Sequence, residues 1–222
     1  MNIDPMTAMV LANALYFQGF WPSEFDVKKT TDHDFSLLDG KIVSVPTMVK
    51  KDHYFQAKKN NIQMVGLPYR DSQLEMIILM PEDPKKFQDF VRTLNTESIA
   101  SLVSEQVSSE FMLLLPKFSI SSSYSDLKST LQALGIKKVF EPDAELKKIN
   151  DKVPLLLSKV LQKAVIQVDE KGTKAAAVTA GIMLTRAVLE NIVQINRPFV
   201  FAIYDQKTHQ IPFIGQVVNP LK

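Results

Sequence analysis

VIQVDEKGTKAAAVTAGIMLTRA, residues 165–187, decides how the rest of the chain is read. Val165, Ile166 and Val168 are apolar and β-favouring, and the acids and glycine that follow end the strand. Beyond Gly172 the composition changes. Thr173, Ala175, Ala176, Ala177, Thr179 and Ala180 are all small, with no proline before Arg186 and Ala187. Small side chains bury little apolar area, so such a segment adds little to a static core. Composition alone favours a surface loop or a short Ala-rich helix. In an extended conformation, however, Thr173, Ala175, Ala177 and Thr179 share one face by the two-residue period, and that face can slide between existing strands without a clash.

Upstream, residues 155–168 run into this stretch without a turn signal and form the longest strand candidate. Residues 8–17 are a continuous apolar run with Asn13 inside it, the pattern of a strand buried on both faces. Gly19 ends that run, and Trp21, the only tryptophan, follows as a core or rim aromatic. Strands are predicted at residues 42–49, with Pro46 limiting the first of them, and at 53–56, 64–69 and 74–80. Residues 85–94 and 98–107 show helical spacing of apolar side chains and are predicted as surface helices. Residues 110–120 return to strand, broken by Pro116 and Lys117. A helix then runs through Leu127, Leu131 and Leu134, capped by Ser125 or Asp126 and stopped by Gly135. Residues 140–150 form a charged connector, and 192–195, 199–204 and 213–218 supply three more strands. No Pro/Gly/Ser linker divides the chain.

With 222 residues, 45% of them apolar, the chain can bury a sizeable core. Charge is nearly balanced, 26 basic against 24 acidic residues, so bulk electrostatics implies neither a nucleic-acid partner nor an acidic membrane. The absence of cysteine excludes disulfide and thiol chemistry. Residues 1–17 lack the features of a signal peptide, and no apolar run reaches transmembrane length. His33, His53 and His209 lie in polar, turn-like surroundings with no metal-ligand spacing, so no metal site and no cofactor is expected. Neither a GxSxG elbow nor a phosphate-binding loop is present. The paired acids Asp32 with Asp34 and Asp169 with Glu170 have no accompanying base or nucleophile. No catalytic residue is therefore expected, and the chain does not read as an enzyme.

LSKVLQKAVIQVDEKGTKAAAVTA, residues 157–180, resembles the strand and hinge of the serpins, a family of serine-protease inhibitors. VLANALYFQGFW (10–21) is similar to that family's central-sheet strand and breach tryptophan. LPKFSI (115–120) and residues 127–140 match further segments, and RPFVFAIYDQKTHQIPFIGQVVNP (197–220) resembles the C-terminal strand pair. These matches follow the family's order along the whole chain. The resemblance implies an α+β, multi-sheet fold, mostly β with a few helices. Residues 1–222 would be the C-terminal portion of a single domain, with the family's N-terminal helical part absent and residues 169–190 as its reactive-centre loop. A fragment, a naturally short isoform and an incomplete gene model all fit that length. Without the missing elements, the apolar faces of residues 10–16 and 160–168 are expected to be exposed and prone to self-association.

The resemblance further implies a suicide-substrate mechanism. A protease cleaves the loop, and the freed strand enters the large sheet before the acyl-enzyme can be hydrolysed. The hinge is then Glu170, Gly172, Thr173, Ala175, Ala176, Ala177 and Thr179. The family's spacing from the hinge glycine to the residue that enters the protease leads from Gly172 to Arg186, giving Arg186–Ala187 as the reactive bond. An arginine there suits a trypsin-like serine protease with an acid at the base of its pocket. Trp21 and Lys117 match breach positions at the top of the large sheet. Lys117 and Glu170 are expected to form an ion pair, against the plainer reading of two solvated charges. Gln162 stands where many members carry a histidine, so no pH gating is expected there. The alternative is a truncated or non-inhibitory member that binds without trapping. Most members are secreted, and some are intracellular.

Overall fold

The computed structural model describes residues 9–149, 155–172 and 191–222. In chain order the strands are β1 (Met9–Tyr16), β2 (Thr31–Ser36), β3 (Ile42–Lys59), β4 (Ile62–Pro68), β5 (Leu74–Pro81), β6 (Val107–Pro116), β7 (Phe118–Tyr124), β8 (Leu157–Val168), β9 (Ile192–Gln194), β10 (Phe199–Asp205) and β11 (Phe213–Val217). The α-helices are α1 (Phe87–Thr93), α2 (Thr96–Ser104) and α3 (Lys128–Ala133). Contacts group these elements into two units, Met1–Phe17 with Ile120–Ile166, and Gln18–Ser119 with Gln167–Lys222.

In the first unit, β1 and β8 pair in parallel along the whole of β1, with Asn13 opposite Gln162 and Tyr16 opposite Val165. The sheet order is β1-β8-β7, which leaves β1 at an edge. The strand forms where the apolar run predicted it, but it is not buried on both faces: Leu11 is 52% and Tyr16 54% exposed. An edge strand of a three-stranded sheet has neighbours on one side only, so an apolar run is not enough to bury it. The apolar surface expected at residues 10–16 is therefore open on β1. Leu157 and Val160 of β8 turn instead into a small core with Phe140, beside Leu127 and Leu131. α3 starts after Asp126, whose Oδ1 accepts from Lys128 N at 2.9 Å, and it stops at Gly135, where φ is 94°.

The second unit holds the larger sheet, in the order β11-β10-β5-β4-β3-β6-β9, with β2 also on β3. β5 and β10 are buried almost throughout, as their continuous Ile, Leu, Met, Phe and Val content demands. α1 and α2 are not merely surface helices. They press Phe87, Phe90, Ile99, Leu102 and Val103 against Met64, Ile77, Leu79 and Val200. A capping box starts α2: Asn95 Oδ1 accepts from Ser98 N at 2.8 Å, and Ser98 Oγ accepts from Asn95 N at 3.2 Å. Two strand predictions change. Residues 42–49 and 53–56 belong to one 18-residue strand, β3, which runs through Pro46. Pro46 lies just outside the β3–β6 register, which begins at Thr47 opposite Pro116, and its carbonyl accepts from Lys117 N at 2.8 Å. Asp32 and Asp34 lie within β2, on its exposed parity.

Candidate functional site at the root of the hinge

β8 ends at Val168, and the chain at once closes a tight turn. Asp169 N donates to Gly172 O at 2.9 Å, and Gly172 N donates back to Asp169 O at 3.1 Å. Gly172 has φ 138°, a conformation side chains rarely adopt. A Cβ there would also lie 2.2 Å from Gly19 O and 2.6 Å from Phe20 Cα, so only glycine permits this approach. The turn docks on the segment after β1 by backbone bonds: Trp21 N donates to Lys171 O at 3.1 Å and Phe25 N to Glu170 O at 2.8 Å.

Trp21 seals the turn from beside it. Its indole Nε1 donates to Asp169 O at 2.9 Å, and the residue is 2% exposed. The ring stacks on Tyr69 with centroids 5.0 Å apart and planes 9° from parallel, and it meets Phe25 edge-on at 6.3 Å. Gly19 makes that stack accessible, because a Cβ at residue 19 would sit 2.4 Å from the Tyr69 ring.

Glu170 carries the charge of the site. Its residue is 3% exposed. Lys117 Nζ lies 2.9 Å from Oε2 and donates to Oε1 at 3.1 Å, while Thr30 Oγ1 donates to Oε1 at 2.7 Å. Burial by itself pushes the Glu170 carboxyl up, but the hydrogen bonds from Lys117 and Thr30 outweigh it and hold the group below the ordinary glutamate range. Its neighbour Asp169 is the opposite case. Burial pushes that carboxyl up, and although Oδ1 accepts from Lys171 N at 3.0 Å, Oδ2 is buried with no partner among the described residues.

The structure thus brings together Trp21, Lys117, Glu170 and Gly172, and the pair Lys117–Glu170 joins a buried carboxylate to a half-buried ammonium rather than two solvated charges. Thr173, Ala175, Ala176, Ala177, Thr179, Arg186 and Ala187 lie outside the described residues. Gly19, Thr30 and Tyr69 were not legible as site residues. Thr30 reaches Glu170 across 140 positions of sequence, and no local pattern encodes such a contact. Among the described residues no cluster of three or more His, Cys, Asp or Glu could hold a metal ion, and no helix is long and apolar enough to cross a membrane.

A family model described as Serpin (serine protease inhibitor) matches residues 1–220. Serpin A3-5 of Bos taurus is 38% identical over 224 residues, covering 98% of this chain and 53% of that protein. Alpha-1-antitrypsin of Sus scrofa is 35% identical over 230 residues, covering 99% and 52% respectively. The chain spans about half the length of the curated relatives it matches. Among solved structures, a thyroxine-binding globulin complex with thyroxine matches with TM-score 0.87 at 29% identity, covering 99% of this chain and 59% of that one. Uncleaved ovalbumin matches with TM-score 0.84 at 24% identity, a likeness of fold alone, covering 98% and 56%.

Proposed function

The chain belongs to the serpin family, and on that premise we propose that it inhibits trypsin-like serine proteases as a suicide substrate cut at Arg186–Ala187. The protease serine attacks the Arg186 carbonyl, the bond to Ala187 breaks, and the Ala187 amine leaves with a proton from the protease's general acid. Arg186 stays esterified to the protease. The freed segment of the 169–190 loop then enters between β1 and β8. In the present state those strands are bonded directly to each other along all of β1, so they must part before a strand can enter. Each new ladder bond nets about 0.5–1.5 kcal/mol, and an inserted strand bonds on both sides. Speed favours small side chains in Thr173, Ala175, Ala177 and Thr179, which meet no steric stop. The chain is then a protease's substrate and not an enzyme, needs no cofactor, and acts where its target does, outside the cell for most of the family.

The observation that carries this reading is the held root of the loop. Glu170 is buried on Lys117 and Thr30, Gly172 is seated on Gly19, and from the next residue on one two-residue parity, Thr173, Ala175, Ala177 and Thr179, is all small. The exposed edge strand β1 favours a second reading for the 222-residue chain as such, namely binding or self-association without trapping. One experiment separates the two. The chain, and a longer form supplying the rest of a family-length domain, are mixed with trypsin and run on a denaturing gel. A covalent complex from the longer form supports the inhibitor, and cleavage without any complex from both forms ends it. A complex from the short chain itself would end the second reading.

A further inference from the structure

The strip that receives the hinge turn is itself held from its other side. Besides the Trp21 indole bond to Asp169 O, two backbone bonds attach it to the turn, Trp21 N to Lys171 O and Phe25 N to Glu170 O. The single peptide unit joining Phe20 to Trp21 therefore gives its N–H to the hinge. Its carbonyl points the opposite way, as a trans peptide requires, and accepts from Arg70 N at 2.7 Å. The next carbonyl, Trp21 O, precedes Pro22, so its own peptide unit has no N–H to anchor it. That oxygen accepts from Arg70 Nε at 3.3 Å and Nη2 at 3.1 Å. Arg70 thus holds two consecutive carbonyls of the strip, one by its backbone and one by its guanidinium, from the corner between β4 and β5. A charged donor strengthens the second contact, and hydrogen bonds in series through one peptide polarise each other.

We infer that Arg70 is a positioning residue for the hinge: it fixes the Phe20–Trp21 strip on which residues 169–172 dock and so sets how readily that turn lets go. The inference rests on the inhibitor reading for its purpose, since releasing the turn precedes insertion, but its test does not depend on trapping a protease. Amide hydrogen exchange is measured residue by residue on the full 222-residue chain, in the native sequence, in Arg70→Met and in Arg70→Lys. Methionine keeps the apolar stem and removes every side-chain donor, whereas lysine restores a charged one. The exposed position of Arg70 makes both substitutions compatible with folding. Exchange at the Trp21 and Phe25 amides is expected to rise about threefold or more in Arg70→Met, the scale of one lost hydrogen bond, and to fall back toward the native rate in Arg70→Lys. Amides of Ile78 and Phe201, within β5 and β10, keep their native rates. Unchanged exchange at Trp21 and Phe25 overturns the proposal. So does an equal rise at all four amides, which would make Arg70 an ordinary stability residue. Failure of the trypsin complex would leave these exchange rates untouched and would remove only the inhibitor reading.

Discussion

Two glutamates of the same unit are almost wholly buried, yet their charges fare differently. Glu170, 3% exposed, faces the Lys117 ammonium and the Thr30 hydroxyl, and it is held below the ordinary glutamate range. Glu75, 2% exposed, stands on β5 with only neutral amides to help it. Oε2 accepts from Gln206 Nε2 and, at 3.4 Å, from Gln106 Nε2, while Oε1 is buried without a partner among the described residues. Burial dominates there and pushes the carboxyl up despite both amides. The difference teaches that two neutral amides do not offset the burial of a carboxylate, whereas an ammonium and a hydroxyl in contact do. It also shows which cluster belongs to the 169–172 turn, since the Glu170 backbone carbonyl accepts from Phe25 N while Glu75 has no such link to the turn.

Removing the cation should erase the contrast with the largest effect. Lys117→Met leaves Glu170 buried with the Thr30 hydroxyl but no cation and is expected to destabilise the second unit by about 3 kcal/mol, read from chemical denaturation at neutral pH. A loss within the scatter of surface substitutions would show that the pair contributes nothing. Space matters next. A Cβ on Gly66 would lie 1.7 Å from Glu75 Oε1, so Gly66→Ala should cost about 1–3 kcal/mol by overpacking. Most of that cost should vanish when Glu75→Ala is added, and full additivity in this double-mutant cycle would deny that the two sites share the space.

The pH dependence of stability sharpens the comparison further. Glu75 has a raised folded pKa, so its contribution is full below the unfolded value and is lost as pH rises through the folded one. Glu170 has a lowered folded pKa, so its contribution is present above the unfolded value and is lost as pH falls through the folded one. Denaturation midpoints followed against pH should therefore lose the decline that sets in above the ordinary glutamate value in Glu75→Gln and the decline below that value in Glu170→Gln. Profiles parallel to the native one in both variants would contradict the assigned states. The smallest effect is expected at the surface pair of Lys138 with Asp143, where both side chains are well exposed. Lys138→Ala should leave the midpoint unmoved at moderate salt.

Local signals made part of this legible. The stop after Val168, the Asp126 and Gly135 limits of α3 and the strands flanking the polar turn at 205–210 follow from residue type and period, and the structure keeps them. The continuity of β3 through Pro46 was hidden because a proline's fate depends on which side of the strand is paired, and its partner β6 lies about sixty residues further on. β2 was hidden because TDHDFS buries only Phe35 fully, so its alternation carries little apolar contrast. At the hinge root, Trp21, Lys117, Glu170 and Gly172 came from the family resemblance. Thr30, Tyr69 and Arg70 make their contacts through the fold alone, and a threonine, a tyrosine and an arginine in polar surroundings advertise nothing in one dimension.

Trp21 has a consequence of another kind. It is the sole indole in 222 residues, it is shielded from water, it stacks on a phenol ring, and its N–H is bonded to the 169–172 turn at Asp169 O. Selective excitation of tryptophan therefore illuminates one place in the molecule and no other. Any event that opens the turn must free that N–H, wet the ring or part it from Tyr69, and each of these alters the colour or the yield of emission. The protein carries its own lamp beside the 169–172 turn, and any opening of that turn can be timed in a stopped-flow cell without attaching a label.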